Sequence, residues 1–99
     1  SDVYKRQVAC LDRSKIHGPL VLRKWQAGDR FIPFGMKGFK RVRDYLCDRK
    51  FSLYQKEEQY VVCVGEDIVW LVNERTDNRY RVTDATTAVL VLSVEPSAE

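Results

Sequence analysis

The sequence has no unbroken apolar run of the length a membrane-spanning helix needs, only one histidine, and only three cysteines. No helical span of a bilayer is therefore expected. No charged-then-apolar leader precedes a small-residue cleavage site, so a cytoplasmic location is expected. Cys10, Cys47 and Cys63 are odd in number, far apart and form no CxxC pair. Disulfide scaffolds and zinc sites use even, closely spaced sets instead. With His17 as the one histidine, a structural zinc lacks ligands, and the cysteines are expected as partly buried free thiols. No GxSxG, HExxH, Walker A or GxGxxG motif occurs. His17 stands beside Gly18-Pro19, in an expected turn, with no nucleophile near it in sequence. Asp44 and Asp48, one helical turn apart, have the spacing to hold a divalent ion, but such pairs ordinarily face water or balance adjacent Arg and Lys. No catalytic, cofactor or metal site is expected in this chain.

Ninety-nine residues suit one domain with one modest core. The hydrophobic fraction of 44%, with two Trp, five Tyr and four Phe, is enough to build it without staples. Residues 7–12 and 20–25 read as strands. From Gln26 to Gly38 the chain is punctuated by Gly28, Pro33, Gly35 and Gly38 and reads as a loop, with Phe31, Ile32 and Phe34 expected as anchors into the core. Lys40 to Lys50 reads as a helix, because Val42, Tyr45, Leu46 and Arg49 fall on one face. A second helix is expected after Ser52, which forms a capping box with Gln55. Apolar runs at 60–64, 68–72 and 88–94 read as strands, with Gly65-Glu66-Asp67 as a hairpin turn and a shorter strand at 80–82. The ends, 1–7 and 95–99, are expected to fray. The predicted class is α+β: a small mixed or antiparallel sheet or sandwich, with two helices inserted between N-terminal and C-terminal strands.

Charge is unevenly spread. Between Arg23 and Lys50 nine basic residues meet three acids, a net +6, which leaves −3 on the rest of the chain. Such asymmetry in one small domain points to a polyanionic partner. On the predicted helix Lys40, Arg43, Cys47 and Lys50 share an outward flank expected to be free of acids. The loop Gly35-Met36-Lys37-Gly38 is expected to lead into the helix N-terminus, where unpaired N–H groups favour phosphate. Phe34, Met36 and Phe39 could stack on bases, although anchoring the loop is the commoner use of such side chains. A second basic cluster, Arg75, Arg79 and Arg81, is interleaved with Glu74 and Asp77.

The stretch Leu22-Arg23-Lys24-Trp25-Gln26-Ala27-Gly28-Asp29-Arg30-Phe31-Ile32-Pro33-Phe34-Gly35-Met36-Lys37-Gly38-Phe39-Lys40 resembles the LRxWxxGDRFxPFGMxGxKK signature of tRNA(Ile)-lysidine synthetase C-terminal domains. The likeness continues through Asp44-Tyr45-Leu46 and resumes at Ile68-Val69-Trp70-Leu71-Val72 and Arg81-Val82-Thr83. In relatives a Gly frequently stands where this chain has Asn73, and a Pro often follows the lysine equivalent to Lys50.

The resemblance implies one domain of a larger ligase. That enzyme would use ATP and lysine to convert the wobble cytidine of a CAU-anticodon tRNA(Ile) to lysidine, with ATP and Mg in an N-terminal catalytic domain. The domain itself would be non-catalytic, docking the tRNA acceptor stem and working beside that catalytic domain, with an oligomer possible. The expected RNA-binding set is Arg23, Lys24, Arg30, Lys37, Lys40, Arg41, Arg43, Lys50, Arg75 and Arg79. An alternative is a protein-interaction module, its Val- and Leu-rich strands pairing with another domain or a second copy.

Overall fold

Strands buried on both faces read as near-continuous apolar runs, and the two central strands of this chain are of that kind. The computed structural model describes residues 7–96, and the fraying expected at the ends falls mostly on 1–6 and 97–99, outside the described residues. In order the elements are β1 (Ala9–Asp12), β2 (Leu20–Lys24), β3 (Arg30–Phe31), β4 (Lys40–Arg41), α1 (Val42–Asp48), α2 (Leu53–Glu57), β5 (Tyr60–Val64), β6 (Asp67–Leu71), β7 (Arg75–Thr76) and β8 (Val89–Leu92). Single 3-10 turns occupy Arg13–Lys15 and Asn78–Tyr80. The class matches the expectation: antiparallel sheets with two helices between the early and late strands.

A four-stranded sheet, β2-β5-β6-β7, forms the middle layer. A two-residue turn at Gly65-Glu66 joins β5 to β6, and Gly65 takes the positive φ (56°) of the first central position of a type II′ turn. The register shifts from Val62↔Trp70 to Cys63↔Ile68, so Val69 is an extra residue on β6. That bulge lets the strand serve two cores.

One core lies under α1 and the β3–β4 ribbon and contains Phe31, Val42, Tyr45, Leu46, Val61, Cys63, Ile68 and Leu71. The other, on the side of the β1–β8 ribbon, contains Ala9, Leu11, Val62, Val69, Trp70, Val72 and Tyr80. Truncating a fully buried Leu46 to Ala should cost about 2–5 kcal/mol.

Several expectations are corrected. Lys40–Arg41 is a short strand rather than helix, because it pairs with Arg30–Phe31. Tyr80 ends a 3-10 turn rather than opening a strand, since Tyr80 N–H returns to Asp77 C=O and the Asp77 side chain caps the turn. Phe34 is half exposed, not an anchor: the loop is held instead by Phe31 and Pro33, both buried. Cys10 and Cys47 are exposed, and only Cys63 is buried.

The helix ends explain themselves. Ser52 and Gln55 form the capping box of α2. Helix α1 closes with Phe51 N–H on Leu46 C=O (3.1 Å) and Lys50 N–H on Cys47 C=O (2.9 Å), with Lys50 left-handed at φ 60°. This is a Schellman closure with lysine where glycine is usual. Asn73 likewise takes φ 61° in the β6–β7 turn. Asparagine tolerates that conformation better than most residues, which answers how the turn is made without glycine.

Candidate nucleic-acid interface

The cationic stretch is built on a loop zipped to the β7 side of the molecule. Phe34 N–H donates to Thr76 C=O (2.9 Å), Asn78 N–H to Ile32 C=O (2.7 Å) and Gly35 N–H to Asn78 Oδ1 (3.0 Å). Asp77, fully buried, accepts from Ile32 N–H at 2.8 Å. The ten candidate cations then divide by whether a carboxylate already holds them.

Five are paired. Arg23 makes a two-pronged contact with Asp29, Nη1 to Oδ2 at 2.9 Å and Nη2 to Oδ1 at 3.0 Å. That bond raises the Arg23 pKa above its ordinary value. Lys24 reaches Glu58 at 3.2 Å, and Lys40 reaches Asp48 at 2.6 Å. Arg43 lies 3.9 Å from Asp44, with both side chains more than half exposed, a pair worth little in water. Arg79 donates Nε and Nη2 to Asp77 (2.9 and 3.0 Å) and Nη1 to Asp67 (3.2 Å). Its pKa is raised, chiefly by the Asp77 bonds.

Arg30, Lys37, Arg41, Lys50 and Arg75 make no ion pair among the described residues. Four of these five fall between Arg30 and Lys50. The acid-free helix flank is therefore corrected: Lys40, placed on it, bonds Asp48, and Arg43 neighbours Asp44. The expected phosphate seat at the helix N-terminus is also corrected. β4 separates loop from helix, and the first helical N–H, of Val42, is taken by Asp29 C=O at 2.9 Å.

Arg49 was expected on the inward stripe with Val42, Tyr45 and Leu46, and those three are buried. The Arg49 side chain is more than half exposed, donating to Glu74 at 2.8 Å, where the Tyr45 hydroxyl also donates at 3.3 Å. Burial and the neighbouring Glu74 push the Tyr45 phenol up. Beside them an open cleft of about 510 Å³ is lined by Met36, Lys40, Asn73 and Arg75 among others. Among the described residues no group of three or more His, Cys, Asp or Glu could hold a metal ion.

Sequence reasoning missed two features of the site. One is Asp77 as a buried organiser, whose partner Ile32 lies 45 residues away in sequence. The other is that Arg30 and Arg41 are direct cross-strand partners on β3–β4.

No family model matches the chain. Over 90 residues it is 52% identical to the tRNA(Ile)-lysidine synthase of Bacteroides thetaiotaomicron, a match covering 91% of this chain and 21% of that protein. The synthase of Parabacteroides distasonis is 50% identical over 88 residues, 89% of this chain and 20% of that one. Among solved structures, the crystal structure of a TILS C-terminal domain superimposes with a TM-score of 0.71 at 18% identity, covering 85% of this chain and 65% of that chain.

The chain belongs to the tRNA(Ile)-lysidine synthase family. It spans about a fifth of the length of the curated relatives it matches, and its fold is that of the C-terminal domain. The geometry shows what the family's signature stretch does here. Arg23 clamps Asp29, and Gln26 N–H donates to the same carboxylate at 2.7 Å. Gly28 and Gly35 supply the positive φ angles of two turns, 93° and 87°. Trp25 Nε1 donates to Lys56 C=O at 2.6 Å, and Phe31 is buried. Much of the synthase signature is therefore a folding signature, and it presents the cations that lie between and after those residues.

Proposed function

We propose that this domain docks tRNA for a tRNA(Ile)-lysidine synthase, holding the acceptor stem through phosphates while a separate catalytic domain works on the anticodon. The chemistry of that larger enzyme would be the ATP- and lysine-dependent conversion of the wobble cytidine of CAU-anticodon tRNA(Ile) to lysidine, in the cytoplasm. ATP and Mg would belong to its catalytic domain.

The observation that carries the reading is uneven neutralisation. Among the described residues Arg30, Lys37, Arg41 and Lys50 meet no carboxylate, on one stretch of a chain whose other candidate cations are mostly paired. An A-form stem hides its bases in a deep groove, so proteins engage it through phosphate, 2′-hydroxyl and shape. Cations without internal partners suit that task. Of the ten residues first expected to bind RNA, those four together with Arg75 are proposed to meet phosphate. Arg23 and Arg79 act mainly by fixing the loop.

Deleting the domain from a full-length synthase should raise the apparent KM for tRNA and relax tRNA choice, leaving lysine adenylation nearly unchanged. Unaltered tRNA kinetics would remove the docking role. A second reading, a surface for another domain or a second copy, is favoured by one specific feature. Val8, Cys10, Phe34, Thr76 and Val82 line an apolar cleft of about 330 Å³, next to the exposed Val89 and Val91 of β8. Salt separates the two, because apolar association should hardly weaken from low to moderate salt while phosphate binding falls steeply.

A further inference from the structure

The β3–β4 ribbon carries a local conflict. Arg30 and Arg41 are direct cross-strand partners, so their side chains leave the ribbon on the same face, away from the buried Phe31. Like charges placed opposite one another are destabilising. Neither arginine meets a carboxylate among the described residues. An anion between them would remove the conflict.

Phe39, just before β4, is half exposed and lies under two guanidinium groups. The Arg30 Cζ is 4.2 Å from its ring centroid, and the Arg79 Cζ is 5.1 Å away. Those two arginines differ in freedom. Arg79 is pinned by Asp77 and Asp67, whereas Arg30 is exposed and unpaired. The ring is thus braced by Arg79 and only covered by Arg30. An exposed cation–π contact is weaker than the stacking of a nucleobase on an aromatic ring, so a base can displace Arg30 at a net gain. Beside the ring opens a cleft of about 360 Å³, walled in part by Gly28 and Ile68. Two of its carboxylates, Asp29 and Asp67, are already bonded to Arg23 and Arg79, and Glu66 is the one further acid among the described residues that line it.

We propose that Phe39 seats one unpaired nucleotide of the bound RNA, its base stacked on the phenyl ring and its adjoining phosphate between Arg30 and Arg41. This rests on the tRNA-docking reading and adds to it. Duplex docking needs cations alone, while a stacking seat requires a nucleotide free of a pairing partner, such as one beside the end of a stem. The family signature leaves position 39 open, so the seat is argued from this chain's own geometry.

The test uses the 99-residue chain and three hairpin RNAs of one stem sequence: blunt-ended, carrying a short single-stranded 3′ overhang, and carrying the same overhang with its first unpaired residue abasic. The wild type should bind the overhang hairpin about tenfold more tightly than the blunt one. The abasic overhang should lose most of that gain. Phe39→Ala should abolish the difference between overhang and blunt while binding the blunt hairpin as the wild type does. Phe39→Leu, which keeps apolar bulk without a π face, should behave like Phe39→Ala, and Phe39→Trp should retain the gain. Equal binding of blunt and overhang hairpins by the wild type overturns the nucleotide seat alone. A gain that survives Phe39→Ala does the same. Failure of every hairpin to bind overturns the docking reading, and the seat with it.

Discussion

Asp77 is the residue whose loss should do most damage for its size. It is fully buried and accepts four hydrogen bonds, from Ile32 N–H, Arg79 N–H, Arg79 Nε and Arg79 Nη2. Asp77→Ala strands the Ile32 N–H and strips most of the partners from a half-buried guanidinium. Breaking a buried charge pair by removing one partner costs about 3–5 kcal/mol. Arg79 is a third exposed and keeps Asp67, which favours the lower end, about 3 kcal/mol. In a domain of this size 1 kcal/mol moves Tm by about 4–8 °C, so Asp77→Ala should lower Tm by about 12–24 °C. Asp77→Asn keeps an oxygen for Ile32 and should lose roughly half as much. Thermal unfolding followed by circular dichroism reads both. The double variant Asp77→Ala/Arg79→Met should be less destabilised than the sum of the singles by about 1–2 kcal/mol, because the stranded charge is gone. A drop in Tm below about 4 °C for Asp77→Ala, or strict additivity in the cycle, would refute the tie between the loop and the Asn78–Tyr80 turn.

Other outcomes follow from single residues. Lys50→Gly relieves a left-handed lysine and should stabilise the domain by about 1 kcal/mol in urea unfolding. Ser52→Ala removes the capping box and should cost about 1 kcal/mol by the same measurement. The Tyr80 phenol is pushed up from 10.0 to about 12, first by burial and then by its bond to Asp67 (2.6 Å). The unfolded chain gives up that proton first, so this stabilisation is whole below about pH 10 and is lost as pH rises to about 12. Tyr80→Phe should flatten that alkaline decline and remove one late-titrating tyrosine from the ultraviolet spectrum. Burial pushes the Cys63 thiol up, so a thiol reagent should label Cys10 and Cys47 quickly and Cys63 only on unfolding.

What could be read from the sequence was whatever depends on neighbours in the chain. The strand at residues 7–12, the apolar runs of β5 and β6, the Gly65 turn, the Ser52–Gln55 cap and the stripe Val42, Tyr45, Leu46 all express local rules. Elements fixed by distant partners were misread. Lys40–Arg41 has helical composition but is extended because Arg30–Phe31 lies beside it. Phe34 looks like an anchor, yet the chain around it is held by backbone bonds to Thr76 and Asn78, which leaves the ring outside. The charge asymmetry was visible, but the pairing within it was not. Asp48 and Lys40 lie eight residues apart and Glu74 and Arg49 twenty-five, and only the fold brings each pair together.

That distinction between engaged and unengaged cations is what a salt series can measure most directly. A tRNA(Ile) transcript is titrated with the wild type, with Arg30, Lys37, Arg41, Lys50 and Arg75 together changed to Ala, and with the paired Lys24 and Lys40 together changed to Ala. With about four phosphates neutralised, the wild-type slope of log K against log salt should be about −3 to −4. The first variant should bring it close to zero, and the second should leave it nearly unaltered. Equal losses from the two variants, or a flat wild-type slope, would contradict phosphate docking by the unpaired set.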